Sequence, residues 1–353
     1  MKQAIFYFWP GRPWPPNPFN EEGAMLTLIQ GSRYTSAKCI QCEKPARLTV
    51  EHVFPDGAGG CLTAHILCKV CNEHFGKNID GPYLKQSVVE LARNAYRIGG
   101  RRGVIPQPLG GPYKIAGPVG RSVIKLDTDF RPRIIPQVED IEIMECGAIS
   151  VTMVIDATDR KNIPTIVRSK FERFFKSERG LGLGWTQEEQ ERGILSTINK
   201  YMSAPDVETP IGVLSGTMEM KLDTVFLEAA KVAFELAAIE DGDVFINSTK
   251  AKHFRTLLGR VDKGRMESSM SFEEILKAFQ AAPLPAGSQV FLGIQYLTGG
   301  KAYEHHVGIL SGPHVIVSLF GYVYIFGDLR AYMGRSAIYT NNVVSGEVRY
   351  AKM

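Results

Sequence analysis

Cys39-Ile40-Gln41-Cys42 and Leu67-Cys68-Lys69-Val70-Cys71-Asn72, with an insert of 25 residues between Cys42 and Cys68, form the stretch that decides the fold of this chain. Each Cys-x-x-Cys hook offers two thiolates from one tight turn, and two hooks make the tetrahedral four-sulfur set that zinc prefers. The insert is longer than a zinc ribbon needs, so it must carry structure of its own. Leu48 to Phe54 is apolar and β-branched and reads as a strand; Asp56 to Gly60 is a flexible turn; Cys61 to Leu67 reads as a second strand. Asn72-Glu73-His74-Phe75 then opens a helix. Strand, loop, strand and helix are stapled at both ends by one metal.

The polar residues of the insert suit chemistry on a phosphate. Glu51 is a hard oxygen ligand for a divalent cation such as Mg²⁺. His52 titrates near neutrality and can serve as a general base. Asn72 offers a side-chain carbonyl that could complete the cation site. A metal that stabilises a leaving oxygen and a base that activates water are what phosphodiester hydrolysis requires.

In this arrangement the segment resembles the HNH endonuclease family, in the branch with the pattern C-x-x-C, E-H-x-x-P, G-G and L-C-x-x-C-N-x-x-F-G-x-x-I-D. The matching residues are Cys39, Cys42, Glu51-His52-Val53-Phe54-Pro55, Gly59-Gly60, Leu67-Cys68-Lys69-Val70-Cys71-Asn72, Phe75-Gly76 and Ile79-Asp80. The resemblance covers about 45 residues. It implies a ββα-metal fold and a structural zinc on Cys39, Cys42, Cys68 and Cys71. It implies a separate catalytic ion, Mg²⁺ or Mn²⁺, on Glu51 and Asn72, with His52 as general base. The substrate it implies is nucleic acid, with double-stranded DNA the expected partner. One position departs from the pattern: His65 stands where the family often has an asparagine that orients the base. His65 either holds His52, joins the metal or marks weakened activity. The alternative function is a non-catalytic zinc module that binds nucleic acid or a protein. His74 is a further candidate ligand, read first as an exposed helix residue. Cys61 is read as a small packing residue, and His305, His306 and His314 as structural.

Charge points the same way. The chain has 353 residues and a net charge of +4. Residues 37 to 103 hold ten Lys or Arg against six acids, which accounts for all of it. Lys69 and Lys77 belong to this basic stretch. Tyr83 to Ile98 reads as a helix, and Arg93, Arg97 and Arg101 recur every four residues, sharing one face if the helix persists. That face is either a phosphate-contacting stripe or a solvated surface.

The expected fold class is α+β: a small zinc-stapled ββα-metal module plus a larger mixed α+β C-terminal domain. Residues 1–36 are expected as a Pro/aromatic-rich arm (or residues 1–24 as a stretch ahead of a start at Met25). Residues 37–98 are the module with its following helix, Gly99 to Pro112 a boundary, and 113–353 a domain of targeting or regulatory role. In that domain Thr224 to Ile239 reads as a helix and Ser271 with Glu274 as a capping box. Ile149 to Ile155, Gln289 to Leu297, Tyr303 to Leu310 and Val315 to Phe326 read as strands. No segment has the apolar length of a membrane span or the form of a signal peptide, so a cytoplasmic protein is expected.

Overall fold

The computed structural model describes residues 26–31, 34–117, 120–144, 148–207, 220–266, 270–330 and 336–352. The Pro/aromatic-rich stretch and Cys146 lie outside the described residues. The fold is α+β, and the chain divides into two compact units: residues 1–105 with 219–353, and residues 106–218. The stretch 113–353 is therefore distributed over both.

The first unit is built on a seven-stranded antiparallel sheet. Its strands lie in the order Thr27–Ile29, Val348–Lys352, Ala337–Asn342, His305–Ser311, His314–Leu319, Tyr322–Phe326 and Ala281–Leu284. Its first strand precedes the cysteine hooks and pairs with Val348–Lys352, so this sheet joins segments far apart in the sequence. The long helix Leu222–Asp241 packs on the three strands from His305 to Phe326. Every residue from Thr224 to Ile239 is buried. A helix buried around its circumference belongs between two layers, and here the sheet is one layer and the cysteine module the other. The helix meets the sheet closely at Gly308, where an added Cβ would fall 2.3 Å from Leu236 Cδ1. Phe226 anchors the contact, with Phe272, Phe279, Tyr324 and Phe326 around it.

The module folds as ββα. The antiparallel strands Leu48–His52 and Thr63–Cys68 lead into the helix Lys69–Phe75, extended by a wider turn over Gly76–Asp80. The helix expected over Tyr83 to Ile98 is broken into Gly81–Leu84 and Ser87–Ala95, because Gln86 is extended and restarts it.

Two strand expectations need correction. Gln289–Leu297 is a helix, started by Ser288, whose side chain accepts from the Phe291 backbone. Its apolar run buries Phe291 and Ile294, a helical spacing, and the N-cap outweighs strand propensity. Val315 to Phe326 is two strands, since Phe320 and Gly321 take φ of 48° and 80° in a two-residue turn. The helix over 224–239 and the Ser271–Glu274 capping box are both present.

The second unit holds a three-stranded sheet (Tyr113–Gly117, Gly120–Leu126, Pro132–Ile134) and the pair Gln137–Ile143 with Ile149–Val154. Helices Ile163–Phe175 and Gln187–Ser203 pack Val167, Phe171, Phe175, Ile194 and Ile198 around Met153. Among the described residues, no helix is long and apolar enough to cross a membrane.

Candidate active site and zinc centre

The sulfurs of Cys39, Cys42, Cys68 and Cys71 all lie within 4.8 Å of one another. Cys42 Sγ and Cys68 Sγ are 3.8 Å apart. A tetrahedron with Zn–S bonds of about 2.3 Å has an edge of about 3.8 Å, so the cluster is compatible with structural zinc. Burial pushes the Cys39 and Cys71 thiols up, while hydrogen bonds from the neighbouring cysteines outweigh burial at Cys68 and bring it down. A bound zinc would draw all four to thiolates. The first hook is held from outside. Gln41 Nε2 donates to the Arg255 carbonyl at 2.9 Å, and Arg255 pairs with Glu43 at 3.1 Å. Cys61 stands apart and is exposed rather than packed.

Strand alternation sorts the candidate catalytic residues. His52 sits opposite Thr63, Val50 opposite His65, and Glu51 opposite Ala64. His52 and His65 therefore share one face and Glu51 takes the other. His65 is exposed and His52 half-buried. Among the described residues neither ring makes a hydrogen bond, so His65 does not hold His52 here. Burial lowers the pKa of His52; Arg101 and Lys231 push the same way, and Asp56 and Asp80 oppose. The imidazole is thus neutral near pH 7, as a proton acceptor must be.

Glu51 points into the protein. Its carboxylate is buried and lies 2.9 Å from Lys231 Nζ, on the long helix. The same ammonium is 2.8 Å from Asp80 and 3.8 Å from Glu228. Burial raises the pKa of Glu51, and raises those of Glu228 and Glu235 well above the carboxylate range. Burial alone would depress Lys231, but Asp80, Glu51, Glu235 and Glu228 outweigh it and keep the ammonium protonated.

Asn72 Nδ2 donates to the Val50 carbonyl at 3.0 Å and to Thr49 Oγ1 at 3.2 Å, clamping the helix start to the first strand. Of the two expected cation ligands, Glu51 is paired with Lys231, and Asn72 makes both of these bonds through Nδ2. Among the described residues, the four cysteines form the one group of three or more His, Cys, Asp or Glu placed to share an ion. The residues present thus fit a structural zinc, while the Glu51 carboxylate expected to hold a divalent ion is already paired with an ammonium. His74 is half-buried and structural: its ring meets Asn78 at 2.9 Å and the Leu258 carbonyl at 3.4 Å.

The arginine stripe does not form. Only Arg93 lies in the helix, which ends at Ala95; Arg97 follows at φ 58°, and Arg101 sits in a separate short turn. Arg93 is partly buried, with its Nε lacking a partner. Arg101 donates to Asp56 at 2.9 Å, next to the His52 loop. Lys69 is exposed and pairs with Glu73 at 3.7 Å, and Lys77 is exposed.

Sequence reasoning missed the residues that hold the site from behind. Glu228, Lys231 and Glu235 are three ionisable residues at i, i+3 and i+7 in an otherwise apolar helix, which is a legible sign of a buried polar partner. His306, fully buried, binds the Ala58 carbonyl at 3.0 Å. Asn341 donates to the Gly59 carbonyl at 2.9 Å and accepts from the Cys61 backbone at 2.6 Å. No curated protein and no solved structure matches the chain. Residues 39–88 match the family model described as HNH endonuclease, and together with the four-cysteine cluster this identifies that segment as an HNH endonuclease module.

Proposed function

We propose that the chain is an endonuclease that hydrolyses phosphodiester bonds of nucleic acid, double-stranded DNA in the first instance, with His52 as general base. The observation that carries this reading is the placement of His52. It is neutral and partly open to solvent, at the end of a strand that the cysteine cluster staples to a helix. Water held at the ring loses its proton to imidazole nitrogen as its oxygen attacks phosphorus, the scissile P–O bond breaks, and the leaving oxygen takes a proton from solvent. His65, diagonal to His52 across the strand pair at about 7–8 Å between backbones, can donate a hydrogen bond to the same phosphate. Arg101 and Lys77 supply positive charge near the module, which favours a polyanion with an affinity that falls as salt rises.

A second reading is favoured by one specific observation: Glu51 and Asn72 are engaged in the protein's own contacts. On this reading the module binds nucleic acid without cutting it. Incubation of full-length protein with supercoiled plasmid, with Mg²⁺, Mn²⁺ or EDTA, separates the two. The nuclease reading expects nicking that His52→Ala reduces at least a hundredfold, the lower range for loss of a general base, while zinc content stays unchanged. Equal products from wild type and His52→Ala would reject His52 as base. Retention of plasmid with no cleavage under any metal would favour the binding module.

A further inference from the structure

We propose that Lys231 is the resident cation at Glu51: its ammonium pairs with both Glu51 and Asp80, and Glu51 anchors the module to the long helix instead of ligating a catalytic metal. The inference rests on the nuclease reading only in giving Glu51 its interest, and its test does not depend on cleavage.

The geometry is that of a built cation site already filled. Lys231 Nζ stands 2.9 Å from Glu51 and 2.8 Å from Asp80, the range of charge-assisted hydrogen bonds. Glu228 at 3.8 Å and the His52 carbonyl at 3.5 Å complete the surround. The lysine side chain has no solvent exposure and Glu51 has 5%. Glu235 lies one turn further along the helix, both carboxyl oxygens buried without a hydrogen-bond partner. A site so rich in carboxyl groups calls for positive charge, and a fully buried ammonium supplies it from within the chain.

A divalent ion would need the Glu51 oxygen at about 2.0–2.6 Å. It could not share that oxygen with an ammonium 2.9 Å away without two cations in near contact in a buried place. Ion and lysine compete for this carboxylate oxygen.

The test is Mn²⁺ binding to the full-length, zinc-loaded protein, read by the electron paramagnetic resonance of free Mn²⁺. Wild type, Glu51→Gln and Lys231→Met are compared. The expected result is that Glu51→Gln shifts any Mn²⁺ dissociation constant by less than twofold. Lys231→Met, which leaves Glu51, Asp80 and Glu228 facing one another, gains a Mn²⁺ site that wild type lacks. If Lys231→Met is unfolded in EDTA, its recovery on addition of Mn²⁺ is the same result. A tenfold or greater loss of Mn²⁺ affinity in Glu51→Gln, with zinc retained, would overturn the proposal. A folded Lys231→Met with no added Mn²⁺ site would overturn it too. If Lys231→Met folds in neither condition, the Glu51→Gln comparison decides. Plasmid cleavage run in parallel keeps the readings apart: an inactive wild type counts against the nuclease and leaves the Mn²⁺ result standing.

Discussion

Acidification should loosen the loop that follows His52, through His306. This ring is fully buried between Phe54 and Phe320, with centroid separations of 5.5 and 4.7 Å. Its Nε2 donates to the Ala58 carbonyl at 3.0 Å, and Nδ1 is buried with no partner. That pattern is the neutral tautomer, and a second proton on Nδ1 would place a charge in an apolar pocket. Burial accordingly lowers the pKa from 6.5 to about 4, the bond to Ala58 only partly opposing. Between those values the unfolded chain binds a proton that the folded chain does not. Stability is therefore fully present above the unfolded value and is lost as pH falls toward the folded one, at about 1.4 kcal/mol per pH unit. From pH 7 to pH 5 the loss comes to about 2 kcal/mol. The assay is urea unfolding of zinc-saturated wild type and His306→Gln at pH 7, 6 and 5, followed by zinc release and circular dichroism. Trp185 lies in the other unit, so its fluorescence is not the readout. Other titrations are common to both proteins, and the stability difference between them should shift by about 2 kcal/mol in favour of the variant from pH 7 to 5. Parallel pH profiles would refute the reasoning.

Three further outcomes are expected. Full-length protein should carry one zinc per chain; Cys71→Ser should lose it and unfold the module, whose metal is worth about 10–16 kcal/mol in comparable small sites. Cys61→Ser should keep it, and a fall in zinc content by elemental analysis of Cys61→Ser would show the four-sulfur assignment wrong. Asn341→Ala removes two hydrogen bonds to the Gly59–Cys61 turn and should cost about 2–3 kcal/mol by denaturant titration; a change under 0.5 kcal/mol would mean that water replaces them. Gly60→Ala would set a Cβ 2.0 Å from the Phe54 carbonyl and should cost about 3 kcal/mol or more, with wild-type stability counting against so tight a turn.

The sequence alone determined what depends on near neighbours. Two Cys-x-x-Cys hooks, a β-branched strand ending in Glu51-His52, a glycine turn and an asparagine after the last cysteine gave the ββα module and its four-sulfur cluster. The apolar run 224–239 and the Ser271–Glu274 box were equally local, since helix period and N-capping act within a few residues. Gln289–Leu297 was misread for the same reason: an apolar run has no period of its own, and only Ser288 ahead of it tips it to a helix. Tertiary structure alone decided which side of the first module strand is covered. Alternation says that Glu51 and His52 face opposite ways; it does not say which way is inward. The answer came from Lys231, 180 residues further along the chain, which sets its charge against Glu51 and Asp80 and leaves His52 on the open face. The arginine spacing failed at Ala95 because the helix gave way to a left-handed residue, a choice set by packing. The pairing of Thr27–Ile29 with the C-terminal strand likewise joins ends that no local pattern relates. Long-range burial, and the charge that must be paired once buried, settled those features.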